Sequence, residues 1–166
     1  MKLLEMPPFA ATRRNHALEH ATIHILSERH PELRLVGRSD WTGFTLYGPV
    51  ATDQLAEALA SALQRLQGGE TQLAVHPRCG TNVATGMVLA SLASTAALSG
   101  HRRSRLEKAL QLAVGVGAAL ALAQPLGAKL QERVTTSADV AKLHVTKILR
   151  LERGTVVVHR VETAQE

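Results

Sequence analysis

Between Arg14 and Leu26 the chain reads Arg-Asn-His-Ala-Leu-Glu-His-Ala-Thr-Ile-His-Ile-Leu, and the histidines His16, His20 and His24 recur at intervals of four. A helix turns once in roughly 3.6 residues, so His16 and His20 fall on successive turns of one face, with Glu19 at its border. Two imidazoles so spaced can hold one divalent ion, and a carboxylate beside them can orient a water on that ion or take its proton. His24 is a poor partner for His16, because eight residues span roughly 12 Å of helix; His20 and His24 form an alternative pair. A third ligand has a better source in His76-Pro77-Arg78-Cys79-Gly80-Thr81-Asn82. His76 and Cys79 both carry atoms that bind zinc well, and Gly80 lets the backbone turn sharply beneath them. Glu19 is the candidate catalytic base; His16, His20, His76, Cys79 and His24 are the candidate ligands.

Positioning these groups is the task of the surrounding elements. Residues 1–12 read as an extended lead-in broken by Pro7-Pro8, followed by a helix from about Thr12 to Arg29 that stops before Pro31. Leu18, Ala21, Thr22, Ile25 and Leu26 make its docking face, which leaves the histidines toward a cleft, solvent or the next element. Leu33–Val36 is expected as a strand, Gly37–Asp40 as a polar turn and Phe44–Tyr47 as a second strand. Thr52 is the expected N-cap of a helix striped by Leu55, Leu59, Ala62, Leu63 and Leu66 and ended by Gly68-Gly69. Gln72–Val75 is expected as a third strand, which makes Phe44 to Val75 a right-handed crossover and sets His76 at a strand end, a common place for a ligand site.

The character then changes. Residues 82–100 carry no ionisable side chain, and neither do residues 109–128. Each run approaches the roughly 20 residues that cross a bilayer, and both are rich in the small residues that suit close helix packing in lipid. They are joined by the basic turn His101-Arg102-Arg103-Ser104-Arg105, suited to lipid headgroups. The runs read as a membrane hairpin; a buried hairpin in a soluble homo-oligomer is the alternative. Beyond a polar connector, His144–Leu151 and Thr155–Val161 flank Glu152-Arg153-Gly154, a turn with glycine at its left-handed position. The expected fold class is α+β: a small mixed sheet with two amphipathic helices, interrupted by an inserted apolar helical hairpin. The divisions are residues 1–81, 82–128 and 129–166, with the last completing the first.

The 166 residues are 45% hydrophobic but only 2% aromatic, with net charge +5. The charge suits anionic lipid, whereas the scarcity of aromatic and densely basic stripes argues against nucleic acid. One cysteine, Cys79, precludes an internal disulfide framework. The start, Met-Lys-Leu-Leu-Glu-Met-Pro-Pro, lacks the apolar core of a cleaved signal, so the soluble part is expected in the cytoplasm.

His16-Ala17-Leu18-Glu19-His20 matches H-x-x-E-H and resembles the motif of the inverzincins, zinc peptidases with an inverted motif. That resemblance, confined to five residues, implies zinc on His16 and His20 with Glu19 as general base. The family's downstream glutamate would fall in or near the apolar hairpin, where there is no acidic residue, so the third ligand must come from elsewhere. The wider run from Arg14 to Thr22, with His76 to Asn82, also resembles an uncharacterised bacterial family of small membrane-associated proteins. Three functions follow from these readings: a membrane-anchored zinc protein of metallopeptidase type acting on a protein substrate, a non-catalytic metal module closed by Cys79, and an accessory or assembly subunit of a membrane complex.

Overall fold

The structure, a computed structural model, describes residues 2–99, 104–153 and 156–165. It divides into two units, Met1–His76 with Glu132–Glu166, and Pro77–Gln131. The chain is α+β.

In the first unit, helix α1 runs from Pro7 to Arg29 and follows a 3-10 turn, Lys2–Glu5. The extended lead-in expected before Thr12 is therefore helical. Pro7 and Pro8 fall at the first helical positions, where a missing N–H forfeits no hydrogen bond and the fixed φ suits the helix. Strand β1, Val36–Asp40, pairs with β2, Gly43–Tyr47, across Trp41-Thr42. The segment expected as a turn is thus the strand itself: Gly37 and Ser39 lie against α1, and the Asp40 carboxylate accepts from the Thr42 backbone N–H at 2.8 Å to bind the true turn. Gly43 has a φ of +146°, and a Cβ there would strike the Val161 carbonyl, so only glycine lets β2 start at this spot.

Helix α2, Thr52–Gln67, is entered from Ala51, not Thr52: the Ala51 N–H donates to the Gln54 side chain at 3.3 Å, and the Thr52 hydroxyl meets His159 Nε2 at 3.0 Å instead. Gly68 closes the helix. The expected third strand is a 3-10 turn, Thr71–Ala74, so Phe44 to Val75 is not the expected strand–helix–strand crossover. The carbonyls of Ala74 and Val75 point to histidines of α1, so they are not available to a strand ladder. Strands β3, Leu143–Arg153, and β4, Val156–Gln165, complete a sheet ordered β1-β2-β4-β3, antiparallel throughout. Gly154, the expected left-handed turn residue, lies outside the described residues.

Phe44 and Leu46 of β2 and Val161 of β4 project into a core shared with Leu18, Ile25 and Leu26 of α1 and Leu55, Leu59 and Leu66 of α2. Each such aliphatic side chain contributes about 1.5–3 kcal/mol when removed from water. The two helices differ. Helix α2 has the single apolar stripe expected of it, whereas α1 is buried almost all round from Ala17 to Leu26, histidine side included.

The second unit is a hairpin of α3, Gly80–Leu98, and α4, Arg105–Leu130. Ser104 and Glu107 cap α4 reciprocally, and residues 101–103 of the basic turn lie outside the described residues. Both helices are long and apolar enough to cross a membrane. Their aliphatic side chains mostly face outward, as with Met87 at 66% and Val114 at 72% exposure. The helices meet through small residues: a Cβ on Gly86 would touch Ala123, one on Gly115 would touch Ala93, and one on Gly127 would collide with Asn82. Asn82 in turn accepts from the buried Gln131 amide at 2.7 Å.

His159 is fully buried on β4, and its Nδ1 has no hydrogen-bond partner among the described residues. Burial, with Arg150 opposite it on β3, holds its pKa below the ordinary histidine value. The folded state therefore binds this proton less readily than the unfolded chain. The associated stability is present above the unfolded pKa of about 6.5 and is lost as pH falls below it. Denaturant titration of the chain at a series of pH values should show stability falling from about pH 7 to 5, by at most ~1.4 kcal/mol per pH unit for this group. The slope should be shallower for His159→Gln.

Candidate metal centre

Helix α1 brings its histidines against two backbone segments, the 3-10 turn Thr71–Ala74 with Val75 and the stretch following the hairpin. His16 Nδ1 donates to the Thr135 carbonyl at 3.0 Å, His20 Nδ1 to the Ala74 carbonyl at 2.8 Å, and His24 Nε2 to the Val75 carbonyl at 2.9 Å. A carbonyl can only accept, so these nitrogens carry the protons. In the neutral rings the lone pair then sits on Nε2 of His16 and His20 and on Nδ1 of His24. Metal-binding histidines are ordinarily oriented in this way, one nitrogen tied to a carbonyl and the other presented to the ion.

The rings form a row. Centroids of His16 and His20 are 4.3 Å apart, those of His20 and His76 are 5.7 Å apart, and those of His24 and His76 are 4.7 Å apart. The structure thus brings His76, 56 positions after His20 in the numbering, into the row that α1 begins. His20 is 2% exposed, and His16, His24 and His76 are half-buried. Cys79 belongs to the second unit, where it is the N-cap of α3 and its sulfur accepts from the Thr81 N–H at 3.4 Å.

Glu19 is 4% exposed and accepts a short hydrogen bond from the Ser39 hydroxyl. Its carboxylate lies directly over Gly37, where a Cβ would overlap Oε1. Burial raises its pKa, while Ser39 and the nearby His16 pull it down. A hydrogen bond to a charged group contributes about 1.5–3 kcal/mol, less than the several kcal/mol that desolvating a carboxylate costs, so the net direction is upward.

Ser39, Gly37 and the three accepting carbonyls escape a reading of the sequence, since a carbonyl leaves no mark in it. Asn15 was legible in principle as a polar residue inside a helix. It is fully buried, donates to the Asp40 carbonyl at 2.8 Å and accepts from the Thr163 hydroxyl at 2.7 Å, and so ties α1 to β1 and β4. A cleft of about 350 Å³ opens beside these anchors, with Ala74, Val75, Glu132 and Thr136 in its wall.

The chain belongs to the DUF6391 family, described as a domain of unknown function, whose pattern spans residues 11–148. It is also similar to an uncharacterised protein of Picosynechococcus sp. strain PCC 7002, with 38% identity over 139 residues, covering 75% of this chain and 65% of that protein. The chain therefore spans less than two thirds of that relative's length. No solved structure matches it.

The contact between Gly37 and Glu19 predicts a specific coupling. Gly37→Ala should lower stability by about 1–3 kcal/mol, because the buried carboxylate must move. In a Glu19→Ala background the same change should cost far less, giving a coupling within about 0.5–3 kcal/mol in a double-mutant cycle read by chemical denaturation.

Proposed function

We propose that the chain is a membrane-anchored metal-binding protein of metallopeptidase type, with His16 and His20 as the ligand pair and Glu19 as the base. The supporting observation is the pre-orientation of the imidazoles: backbone carbonyls hold one nitrogen of each ring, and His76 joins the row beside His20. His76, its ring centroid 5.7 Å from that of His20, is taken as the further imidazole, and Cys79, three residues on in the sequence, is the chain's one thiol. Imidazole with imidazole or thiolate is a donor set that suits zinc. Zinc bound there would supply Lewis acidity and make a water easier to deprotonate.

The chain's own part is then defined. Ser39 fixes the Glu19 carboxylate, burial makes that carboxylate a stronger base than an exposed one, and the cleft beside Ala74 and Thr136 gives a substrate segment room to approach. The two long apolar helices would hold this site at a bilayer. The deep burial of His20 and Glu19 favours a second reading, a closed four-ligand site without catalysis.

Elemental analysis of protein purified without chelators should find about one zinc per chain, the stoichiometry of a single mononuclear site. His16→Ala and His20→Ala should release it. Glu19→Gln should retain it and lower hydrolysis of a peptide or partner protein by about 10²-fold or more. X-ray absorption separates the readings, since three protein ligands favour catalysis and four favour the closed module. A folded chain that neither carries nor takes up zinc overturns both and leaves the accessory-subunit reading.

A further inference from the structure

The hairpin unit carries a groove of its own. Its volume is about 590 Å³, large enough for a small ligand, and every residue lining it lies between Pro77 and Gln124. Gly86, Met87 and Ala90 of α3 line one side, and Leu120 and Ala123 of α4 the other. Gly86 lies against Ala123, where a Cβ on the glycine would stand 3.1 Å from the alanine methyl. Two polar side chains also line this apolar groove. Arg78, two residues before α3, marks the end at which that helix starts. Gln124 belongs to α4, and its amide has no hydrogen-bond partner among the described residues. The start of α3 meets the end of α4, with Asn82 against Gly127, so Lys129 adds a second cation at the same end of the hairpin. Glu107 is the one acidic residue between Pro77 and Gln131, and it stands in the first turn of α4, at the other end.

We infer that this groove binds one acyl chain of an anionic glycerophospholipid whose phosphate is held by Arg78; the inference rests on the membrane reading of α3 and α4. The dimensions agree. From Gly80 to Ala90 the helix rises about 15 Å, and half of the hydrocarbon layer is also about 15 Å, so the groove is one leaflet deep. Gln124 lies five residues before Lys129, about 7.5 Å along α4. That depth falls in the boundary between headgroups and acyl chains, where a glycerolipid offers its ester carbonyls as acceptors. An amide left without a partner in an apolar layer costs free energy, and an ester carbonyl removes that cost. The guanidinium of Arg78 matches a phosphate in geometry as well as in charge, and no carboxylate of the hairpin competes with it at this end.

The test uses the full chain, delipidated in a mild detergent and titrated with phosphatidylglycerol or phosphatidylcholine of the same acyl chains. Native mass spectrometry counts the lipids retained. One phosphatidylglycerol per chain should be held, with a several-fold preference over phosphatidylcholine. Arg78→Gln should abolish that preference, and Arg78→Lys should keep most of it. Lys108→Gln removes a cation near the start of α4, at the other end of the hairpin, and should leave the preference unchanged. Ala90→Leu fills the groove and should weaken retention of either lipid several-fold, with circular dichroism confirming that the helices persist. Equal retention of the two lipids, or a preference that survives Arg78→Gln, overturns the inference. Retention untouched by Ala90→Leu in a folded chain overturns it as well. A dimer that Ala90→Leu dissociates, with no lipid retained, overturns it and assigns the groove to a second copy. Each of these outcomes, in a chain that resists alkaline extraction from cell membranes, spares the membrane reading. Release of the whole chain by alkali overturns the groove's lipid together with that reading.

Discussion

Helix α1 carries polar groups into the interior, and each must find a partner there. Asn15, Glu19, His20 and Thr22 are all at most 4% exposed. Leaving one such group unsatisfied costs about 1–3 kcal/mol, so neglecting all four would consume much of the 5–15 kcal/mol by which a domain is typically stable. Thr22 is satisfied within the helix, through the Leu18 carbonyl. The other three recruit the surrounding chain: β1 and β4 for Asn15, Ser39 for Glu19, and the turn after α2 for His20. The irregular path around Ala74 and Val75, like the strand at the polar segment Val36–Asp40, follows from what α1 requires.

This explains which features the sequence displays. Helix α2 is legible because its leucines and alanines form one stripe. The apolar hairpin is legible from its missing charges, and β4 from its run of valines. Helix α1 misleads, because a periodicity argument treats polar residues as a solvent or cleft face, while this polar face is covered by backbone. Gln72–Val75 has the composition of a strand, but the Ala74 and Val75 carbonyls accept from imidazoles and the Gln72 carbonyl from the Val75 N–H. The paired histidines and Glu19 stand out as a motif. The orienting carbonyls leave no signature, and Ser39 does not stand out before the fold places it against Glu19.

The two units solve the problem of few aromatics differently. With only 2% aromatic residues, the first unit fills its core with Leu, Ile and Val around Phe44, whereas the hairpin relies on glycine and alanine, where backbones approach closely. The second solution is sensitive to single methyl groups. At Gly127 a Cβ would overlap the Asn82 side chain, whose amide is already committed to the Pro77 carbonyl at 2.8 Å.

The sheet order has a consequence for biosynthesis. The inner neighbour of β2 is β4, and Phe44 pairs with Val161 more than a hundred residues later, with the whole hairpin made in between. Ribosomes add about 5–20 residues per second, so β2 waits several seconds for its partner with one edge unpaired. A contact of such long range is slow to form, and an open edge is a template for wrong pairing. Both hairpin helices are thus synthesised before the sheet can close, and throughout that interval the open edge of β2 is exposed to neighbouring chains on the polysome.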